Sequence, residues 1–354
     1  MTIINRYLAW QVFIGLAVAT AIILPAFAFL DLLDQLGDVG NGTYRVQDAF
    51  LHTALLLPRR FIQLSPFIAL LGNVFALGRL AVNLELTALR VAGLSPIRIS
   101  LAPLGVGLIL LLFIAVLEQF IAPHFQQKAI SHQATALGKT AELGKNLGIW
   151  TRDEQNILRI GEMQGTKRAA NIELMHFDEN GFLLTYTHAK YANVINDSLW
   201  ELHDVVTKTF TGDRIESANI SSMNWKSFVN PGDISTLTKS PESLSPTELF
   251  QHVRFLRATG QEADAYALAL WRKVGGALTT IAMLLFSIPF VLGSARAGLG
   301  KKVVLAALLG VGVYLFDQVI ANAGLLLHLN PLLTALLPGL ALITSASLWL
   351  RRVF

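Results

Sequence analysis

Six apolar stretches, each about as long as a bilayer is thick, constrain this chain more than any other feature. A helix needs about 20 mostly apolar residues to span a membrane. The stretches that meet this length are Trp10–Leu30, Phe61–Leu80, Ile99–Leu117, Val274–Leu292, Val303–Asn322 and Pro331–Leu350. Only 15% of the residues are charged, against roughly 25% in soluble domains. The sequence therefore predicts an α-helical membrane protein with six transmembrane helices, and it argues against a soluble enzyme.

Two alternatives concern individual stretches. The first stretch resembles a signal peptide, but its apolar core exceeds the usual length of about 7–15 residues, and Gln35-Leu36-Gly37-Asp38 lacks the small residues of a cleavage site. We therefore expect an uncleaved span. The second and fourth stretches could instead re-enter the membrane from one side, an alternative that their full length makes the weaker one.

Charge is concentrated in the middle of the chain. Residues 125–265 hold 14 of the 28 Lys and Arg and 17 of the 24 Asp and Glu. We predict three parts: 1–124 with helices one to three, 125–265 as an inserted aqueous domain, and 266–354 with helices four to six. The overall charge of +4 is too dilute for a nucleic-acid binder. The absence of cysteine excludes disulfides, cysteine zinc sites and thiol catalysis.

The insert carries strand patterns followed by helix patterns. Alternating and β-branched residues predict four strands, at Ile157–Gln164, Asn171–Phe177, Leu183–Ile195 and Ser198–Phe210. A sandwich, a barrel or a jellyroll-like sheet would fit. Ser245-Pro246-Thr247-Glu248 then predicts a capped helix that ends near Gly260. A second helix, starting near Glu262, is expected to run into the fourth span.

Basic residues near the spans predict the orientation, because cytoplasmic loops are enriched in Lys and Arg. With the N-terminus in the cytoplasm, most basic residues fall on the cytoplasmic side: Arg6, Arg79, Arg90, Arg98, Arg296, Lys301, Lys302, Arg351 and Arg352. Both termini are then cytoplasmic and the insert lies outside. Arg272 and Lys273, at the outer start of the fourth span, run against this rule.

The chain shows no pattern of a catalytic, cofactor or metal site. The stretch Gly293 to Lys302 fails as a phosphate-binding loop, because Ala295 stands at its first glycine position and Lys302 at its Ser/Thr position. The histidines are scattered, without the spacing of a metal site on a helix. We therefore predict a non-catalytic subunit without a cofactor of its own.

Polar residues at membrane depth or at its edge are the best candidates for a substrate cavity. These residues are Asp31, Asp34, Arg59, Arg60, Asp317 and Gln318. Asp317 lies about 21 Å into the fifth span, so it should face protein or a wet cavity. Glu118 closes the third span. For all but Asp317 and Gln318, an interfacial anchor is an equally good interpretation.

The loop between spans two and three contains a short amphipathic helix at 83–93 that ends at a glycine. Leu86, Leu89 and Gly93 fall on one side, whereas Glu85 and Arg90 fall on a water-accessible side. Such a helix is suited to docking a cytoplasmic partner. An interfacial linker helix is the alternative.

The order and spacing of these features resemble a known family over the whole chain. The residues that carry the resemblance are Asp34-Gln35-Leu36, Gly40 to Tyr44, Pro66 to Gly78, Glu85 to Gly93, Ala122-Pro123, Gly148 to Trp150, Trp225-Lys226, Phe255 to Gln261, Tyr266 to Trp271, and Tyr314 with Asp317-Gln318. They are similar to the LptF/LptG (YjgP/YjgQ) lipopolysaccharide export permeases, most closely to the LptG branch.

The resemblance implies a bacterial inner-membrane permease subunit of an ATP-driven lipopolysaccharide extractor. It implies an LptF-like partner permease, an LptB-like ATPase dimer that holds the ATP, and an LptC-like protein. The insert would be a periplasmic β-jellyroll that receives lipopolysaccharide from the outer leaflet. Glu85 to Gly93 would be the coupling helix that docks into the ATPase.

One departure and two other functions qualify the resemblance. Related LptG chains carry lysines around the motif at Asp34, where this chain has Asp31, Gly37 and Asp38, so the local charge is reversed. Arg59, Arg60 or the LptF-like partner could compensate, or the substrate head group could carry fewer phosphates. The main alternative function is a membrane-anchored scaffold that recruits periplasmic partners without transport. An ion-coupled transporter is weaker, because no inverted repeat is evident.

Overall fold

The computed structural model describes residues 3–137, 149–153, 155–164, 168–196, 199–211, 214–228, 240–293 and 298–353. Gly148, Ser198, Ala295 and Arg296, which the sequence analysis names, lie outside these residues. The chain forms two compact units. The helical unit comprises Met1–Val39, Arg45–Ile130 and Ala267–Phe354, and the sheet unit comprises Gly40–Tyr44 and Ser131–Tyr266. The segment Gly40–Tyr44, which lies within the first predicted part of the chain, belongs with the sheet unit.

Long helices make up the helical unit. In chain order the helices of the whole chain are α1 (Ile3–Leu36), α2 (Val46–Val82), α3 (Glu85–Val91), α4 (Pro96–Val116), a π-helical turn (Leu117–Ile121), α5 (Ala122–Ala136), α6 (Pro246–Ala258), α7 (Asp264–Gly293), α8 (Leu299–Leu326) and α9 (Pro331–Val353). Six of the described helical segments are long and apolar enough to cross a membrane. The predicted fold class is confirmed.

Continuous helices argue against the re-entrant alternative for the second and fourth spans. Both stretches lie inside continuous helices, α2 with 37 residues and α7 with 30 residues. A helix of 30 residues is about 45 Å long, which exceeds the hydrocarbon thickness of a bilayer. The third span also runs on beyond its predicted end at Leu117, because the π-helical turn joins α4 to α5 without a break.

Glycines bring α1 and α2 into close contact. A Cβ atom on Gly15 would lie 2.3 Å from the Gly72 carbonyl oxygen, and one on Gly72 would lie 2.7 Å from Leu16 Cα. The two backbones are therefore in contact where the helices cross, as is common where small residues pack in membranes. Around this crossing Val12, Leu16 and Ile68 form a buried apolar cluster.

Buried polar side chains connect α2 with α7 at roughly heptad intervals. Ser65 Oγ lies 3.1 Å from Thr280 Oγ1. Further along both helices, Asn73 Nδ2 donates to Ser287 Oγ over 2.6 Å. Hydrogen bonds between spans fix their register where lipid offers no polar partner. The hydroxyl groups of Thr280 and Ser287 therefore serve helix packing here.

The sheet unit is one antiparallel sheet in which each strand pairs with its neighbours in the chain. Its strands are β1 (Ile149–Arg152), β2 (Asn156–Gln164), β3 (Arg168–Phe177), β4 (Leu183–Asn196), β5 (Leu199–Thr211) and β6 (Arg214–Lys226). The arrangement is jellyroll-like. The four predicted strands are confirmed, whereas β1 and β6 were missed. In β6, serine, asparagine and alanine hide the pattern, and most of its residues are exposed.

A row of irregular positions crosses the sheet and reverses which residues point inward. Asn171 and Asp204 both have φ near +52°. Neither residue has a partner in the neighbouring strand, although the residues before and after each of them are paired. In β5 the buried residues are Trp200 and Leu202 before Asp204, then Val205 after it. The irregularity keeps apolar residues on the same face while the strands change phase.

Helix α6 and the α1–α2 loop complete the sheet unit. The backbone N–H of Ser245 donates to Glu248 Oε2 over 2.8 Å, and the Glu248 N–H donates to Ser245 Oγ, which confirms the predicted capping box. The N–H of Thr43 donates to the carbonyl of Ala136 over 2.7 Å. This contact caps the carboxyl end of α5 with the loop at Gly40–Tyr44.

Candidate functional site

Two neighbouring arginines of α2 form ion pairs with two different helical segments. Arg60 binds Asp31 of α1 through both carboxylate oxygens, with Nε to Oδ2 and Nη2 to Oδ1 both at 2.5 Å. Arg59 donates through Nη1 to Glu118 Oε1 over 2.9 Å. A bidentate arginine–carboxylate pair is both strong and directional. Asp31, near the carboxyl end of α1, is therefore paired with the guanidinium of Arg60 from α2.

Glu118 lies at the centre of a buried cluster of three charges. Its side chain is only 8% exposed, and Lys273 of α7, which is equally buried, donates to the same Oε1 atom that Arg59 contacts. The carboxylate belongs to the π-helical turn between α4 and α5, and such turns are frequent at functional sites. Two cations share one carboxylate here, and the buried Nε of Arg59 has no hydrogen-bond partner among the described residues.

A third group of contacts joins α7 to α8. Arg272 Nη2 lies 2.7 Å from Asp317 Oδ2 and 3.3 Å from Gln318 Oε1. Gln318 in turn donates through Nε2 to the hydroxyl of Tyr314 over 3.1 Å. Asp317 therefore has a cationic partner, Arg272, within the protein. A carboxylate deep in a span requires such a partner.

These contacts form one continuous series across the helical unit, because Arg59 adjoins Arg60 and Arg272 adjoins Lys273. We call it the charged belt, and its members are Asp31, Arg59, Arg60, Glu118, Arg272, Lys273, Asp317 and Gln318. It links α1, α2, the π-helical turn, α7 and α8. The belt contains four cations and three carboxylates, so positive charge is in surplus.

The belt unites five of the six cavity candidates with three residues outside that set. Asp31, Arg59, Arg60, Asp317 and Gln318 all belong to it. Asp34 does not, because its side chain is exposed and forms no hydrogen bond or ion pair with another described side chain. Sequence reasoning noted Glu118 among the polar residues at the membrane edge but left it out of the cavity candidates, and it treated Arg272 and Lys273 as exceptions to the charge rule. That exception could have identified Arg272 and Lys273 as site residues, because basic residues that run against the charge rule often have carboxylate partners or a function.

A second candidate site lies at the opposite end of α2, where α3 follows. Leu86 is 3% exposed and packs with Leu8, Leu77 and Leu80, and Leu89 lies against the same cluster. The two leucines therefore attach α3 to the chain's own core. The Leu94 N–H donates to the Leu89 carbonyl across Gly93, whose φ is +86°, so a glycine-based cap ends the helix.

The outward surface of α3 is largely apolar. Val91 is 85% exposed and Leu84 is 67% exposed, and Arg90 beside them is also exposed. Glu85 is half-buried, and its carboxylate accepts a hydrogen bond from the hydroxyl of Tyr7. Exposed aliphatic side chains can be buried by a partner protein, and arginine is enriched at protein interfaces.

Comparison with known proteins agrees with this arrangement. The family described as "Lipopolysaccharide export system permease LptF/LptG" matches residues 6–352. The chain belongs to the LptF/LptG family. The Escherichia coli (strain K12) protein "Lipopolysaccharide export system permease protein LptG" is 27% identical over 351 residues, which cover 98% of this chain and 97% of that protein. The protein of the same name from Haemophilus influenzae is 28% identical over 343 residues, 96% of each chain.

Membership in the LptF/LptG family decides between the functions that the sequence left open. A lipopolysaccharide export permease that passes the inner membrane several times agrees with the six apolar helices and the inserted sheet. The scaffold without transport is therefore set aside. Membership in a permease family is also consistent with a chain that does not itself catalyse a reaction.

Proposed function

We propose that this LptF/LptG family member is the transmembrane subunit of an ATP-driven extractor that moves lipopolysaccharide from the outer leaflet of the inner membrane to its own sheet unit. An LptB-like ATPase dimer would bind and hydrolyse ATP, and the chain itself would hold no cofactor. An LptF-like chain would complete the permease, and an LptC-like protein would continue the route. The proposal includes cytoplasmic termini and a periplasmic sheet unit, supported by the basic residues around α3.

The surface of α3 supports the docking of a separate ATPase. Leu86 and Leu89 fix the helix to the core of the helical unit, so force applied to α3 is transmitted to α2 instead of being absorbed by a loose loop. Val91 and Leu84 contribute little to that core, and their exposure leaves them free to be buried by a partner. This division between an anchored face and an exposed face is the observation that carries the docking proposal.

Replacing Val91 by Glu is expected to lower the retention of the ATPase subunit tenfold or more. The variant loses an aliphatic contact worth about 1.5 kcal/mol or more and places an unpaired charge in the interface. Co-purification of the ATPase with the tagged full complex measures the effect. Ile215→Glu, at a similarly exposed aliphatic residue of β6, is the matched control and should retain the ATPase. Equal retention by both variants would exclude docking at α3.

The charged belt supports an anionic substrate. Its four cations outnumber its three carboxylates, and the Asp31–Arg60 pair is partly exposed, at 22% and 36% of the two side chains. Phosphate groups on a glycolipid are well suited to arginine. Asp31 occupies a position where the resemblance led us to expect a lysine, and Arg60 brings a cation to the same place from α2. The net charge around Asp31 and Arg60 would then matter for substrate binding more than which helix supplies the cation.

Only one of the two neutralising variants of this pair is expected to weaken lipopolysaccharide binding. Arg60→Gln removes a cation and should weaken binding about three- to fivefold, whereas Asp31→Asn removes an anion and should leave binding unchanged or strengthen it. Both variants break the same ion pair, so a purely structural role would make both weaken binding. Lipopolysaccharide retained by the purified complex, per mole of chain, distinguishes the two cases.

A further inference from the structure

A tyrosine of α1 holds the carboxylate of the first residue of α3. The Tyr7 hydroxyl donates to Glu85 Oε2 over 2.7 Å. Asn83 Nδ2 lies 3.4 Å from the other oxygen, Oε1, in hydrogen-bonding geometry. Both carboxylate oxygens thus have a donor within this chain. The direction of the Glu85 side chain is therefore fixed before any partner arrives.

The residues that follow Tyr7 and Glu85 fix their backbones. Leu8, immediately after Tyr7, is fully buried, and Leu86, immediately after Glu85, is 3% exposed. Both leucines belong to the same apolar cluster. The hydrogen bond between the two polar side chains therefore spans helices that are already packed together, so little conformational entropy opposes it.

A second polar contact holds the same face of α1 against α2. Gln11 lies four residues after Tyr7, so the two side chains share one face of the helix. Arg79 of α2 donates through Nη2 to Gln11 Oε1. Near its amino end α1 is consequently bonded to α3 through Tyr7 and to α2 through Gln11. The same helix carries Asp31 of the charged belt towards its other end.

The choice of a phenol as the donor has a chemical consequence. A lysine or arginine beside Glu85 would form an ion pair and would use up the carboxylate's attraction for an outside cation. A neutral hydroxyl orients the carboxylate but leaves its negative charge intact, and a hydrogen bond to a charged acceptor is stronger than a neutral one. Glu85 therefore stays available for a basic side chain of a docked protein.

We propose that Tyr7 is a positioning residue for the docking of the ATPase. Its hydroxyl holds the Glu85 carboxylate in the direction that the docked subunit requires. The inference rests on the proposed docking of an ATPase at α3. Tyr7 does not itself touch the bound ATPase in this proposal, and it acts only through Glu85. The effect of losing its hydroxyl therefore depends on the presence of the carboxylate.

A double-mutant cycle in the full permease complex tests this dependence. The variants are Tyr7→Phe, Glu85→Gln and both together, and titration with the purified ATPase subunit gives its affinity for each. We expect Tyr7→Phe to weaken docking about fivefold, and to have no further effect in the Glu85→Gln background. Tyr266→Phe removes a hydroxyl that bonds to none of the described residues, so it should bind the ATPase as the native chain does.

The outcomes separate the inference from the function on which it rests. If Glu85→Gln docks the ATPase with native affinity, the acidic contact at α3 and the positioning role are both wrong. If Glu85→Gln weakens docking but Tyr7→Phe does not, or if the two effects add in the double variant, docking stands and the role of Tyr7 is wrong. Thermal unfolding of Tyr7→Phe should match the native chain within a few degrees, because the ring and its packing remain.

Discussion

Glu118→Gln is expected to destabilise the helical unit by about 3–5 kcal/mol, because it leaves Arg59 and Lys273 as buried cations without an anion. The glutamate is 8% exposed, and both cations contact the same carboxylate oxygen. The amide keeps the size of the side chain, so the loss reports on charge and not on a cavity. Thermal unfolding in detergent and the yield of folded protein measure the effect.

Two further variants give this prediction its control and its rescue. Asp34→Asn neutralises an exposed carboxylate that forms no hydrogen bond or ion pair with another described side chain, so it should leave the unfolding temperature nearly unchanged. Replacing Glu118, Arg59 and Lys273 together by Met should recover part of the loss, because apolar residues of similar volume often substitute well for a buried ionic cluster. A Glu118→Gln protein as stable as the native chain would show that the cluster is not stabilising.

Gly72→Val is expected to separate α1 from α2 and to cost about 3 kcal/mol or more. A Cβ atom at this position would lie 2.7 Å from the Leu16 Cα and 2.9 Å from its nitrogen. Backbone atoms cannot move aside as a flexible side chain can, so the helices must part and lose the contacts around Val12 and Ile68. The unfolding temperature and the yield of the purified chain measure the loss.

Gly105→Val provides the matched control for this crossing. Gly105 lies within α4, and a Cβ atom there meets nothing within 4 Å, so valine should be tolerated with a change below about 1 kcal/mol. Similar losses in both variants would mean that valine itself harms these helices, and that close contact at Gly72 is not the cause.

The sequence predicted the helices well because apolar length is a local property. Each span could be recognised without its neighbours, since lipid requires about 20 apolar residues in a row. The ends of the helices were less predictable. The third span was expected to end at Leu117, but a π-helical turn continues it into α5, because helix formation does not stop where apolar composition stops.

The strands were predicted only where their residues alternate. In β4 and β5 the aromatic and β-branched residues indicate strands by themselves, whereas β6 depends on hydrogen bonds to β5 along its full length. Pairing with a neighbour can hold a strand of weak propensity, and no local signal reports that neighbour. The phase change at Asn171 and Asp204 is likewise a property of the assembled sheet.

For the sites, the sequence supplied residues but not their partners. It identified Asp31, Asp317 and the arginines of α2 by their depth in the membrane, and it noted Arg272 and Lys273 as exceptions to the expected charge distribution. Opposite charges far apart in the chain cannot be matched from spacing alone. For the reversed charge at Asp31, the sequence named Arg59, Arg60 and the partner chain as possible compensation, and the structure places Arg60 beside Asp31.

The sequence by itself determined the class of this protein: six apolar spans and an inserted sheet. The tertiary structure decided which charges meet, and how tightly Gly15 and Gly72 let two helices approach. It also decided that Leu86 and Leu89 face the chain's own core, which leaves Val91 and Leu84 as the exposed surface of α3. The reason is physical, since hydropathy acts residue by residue along the chain, whereas ion pairs and close packing depend on distances that only the packed helices set.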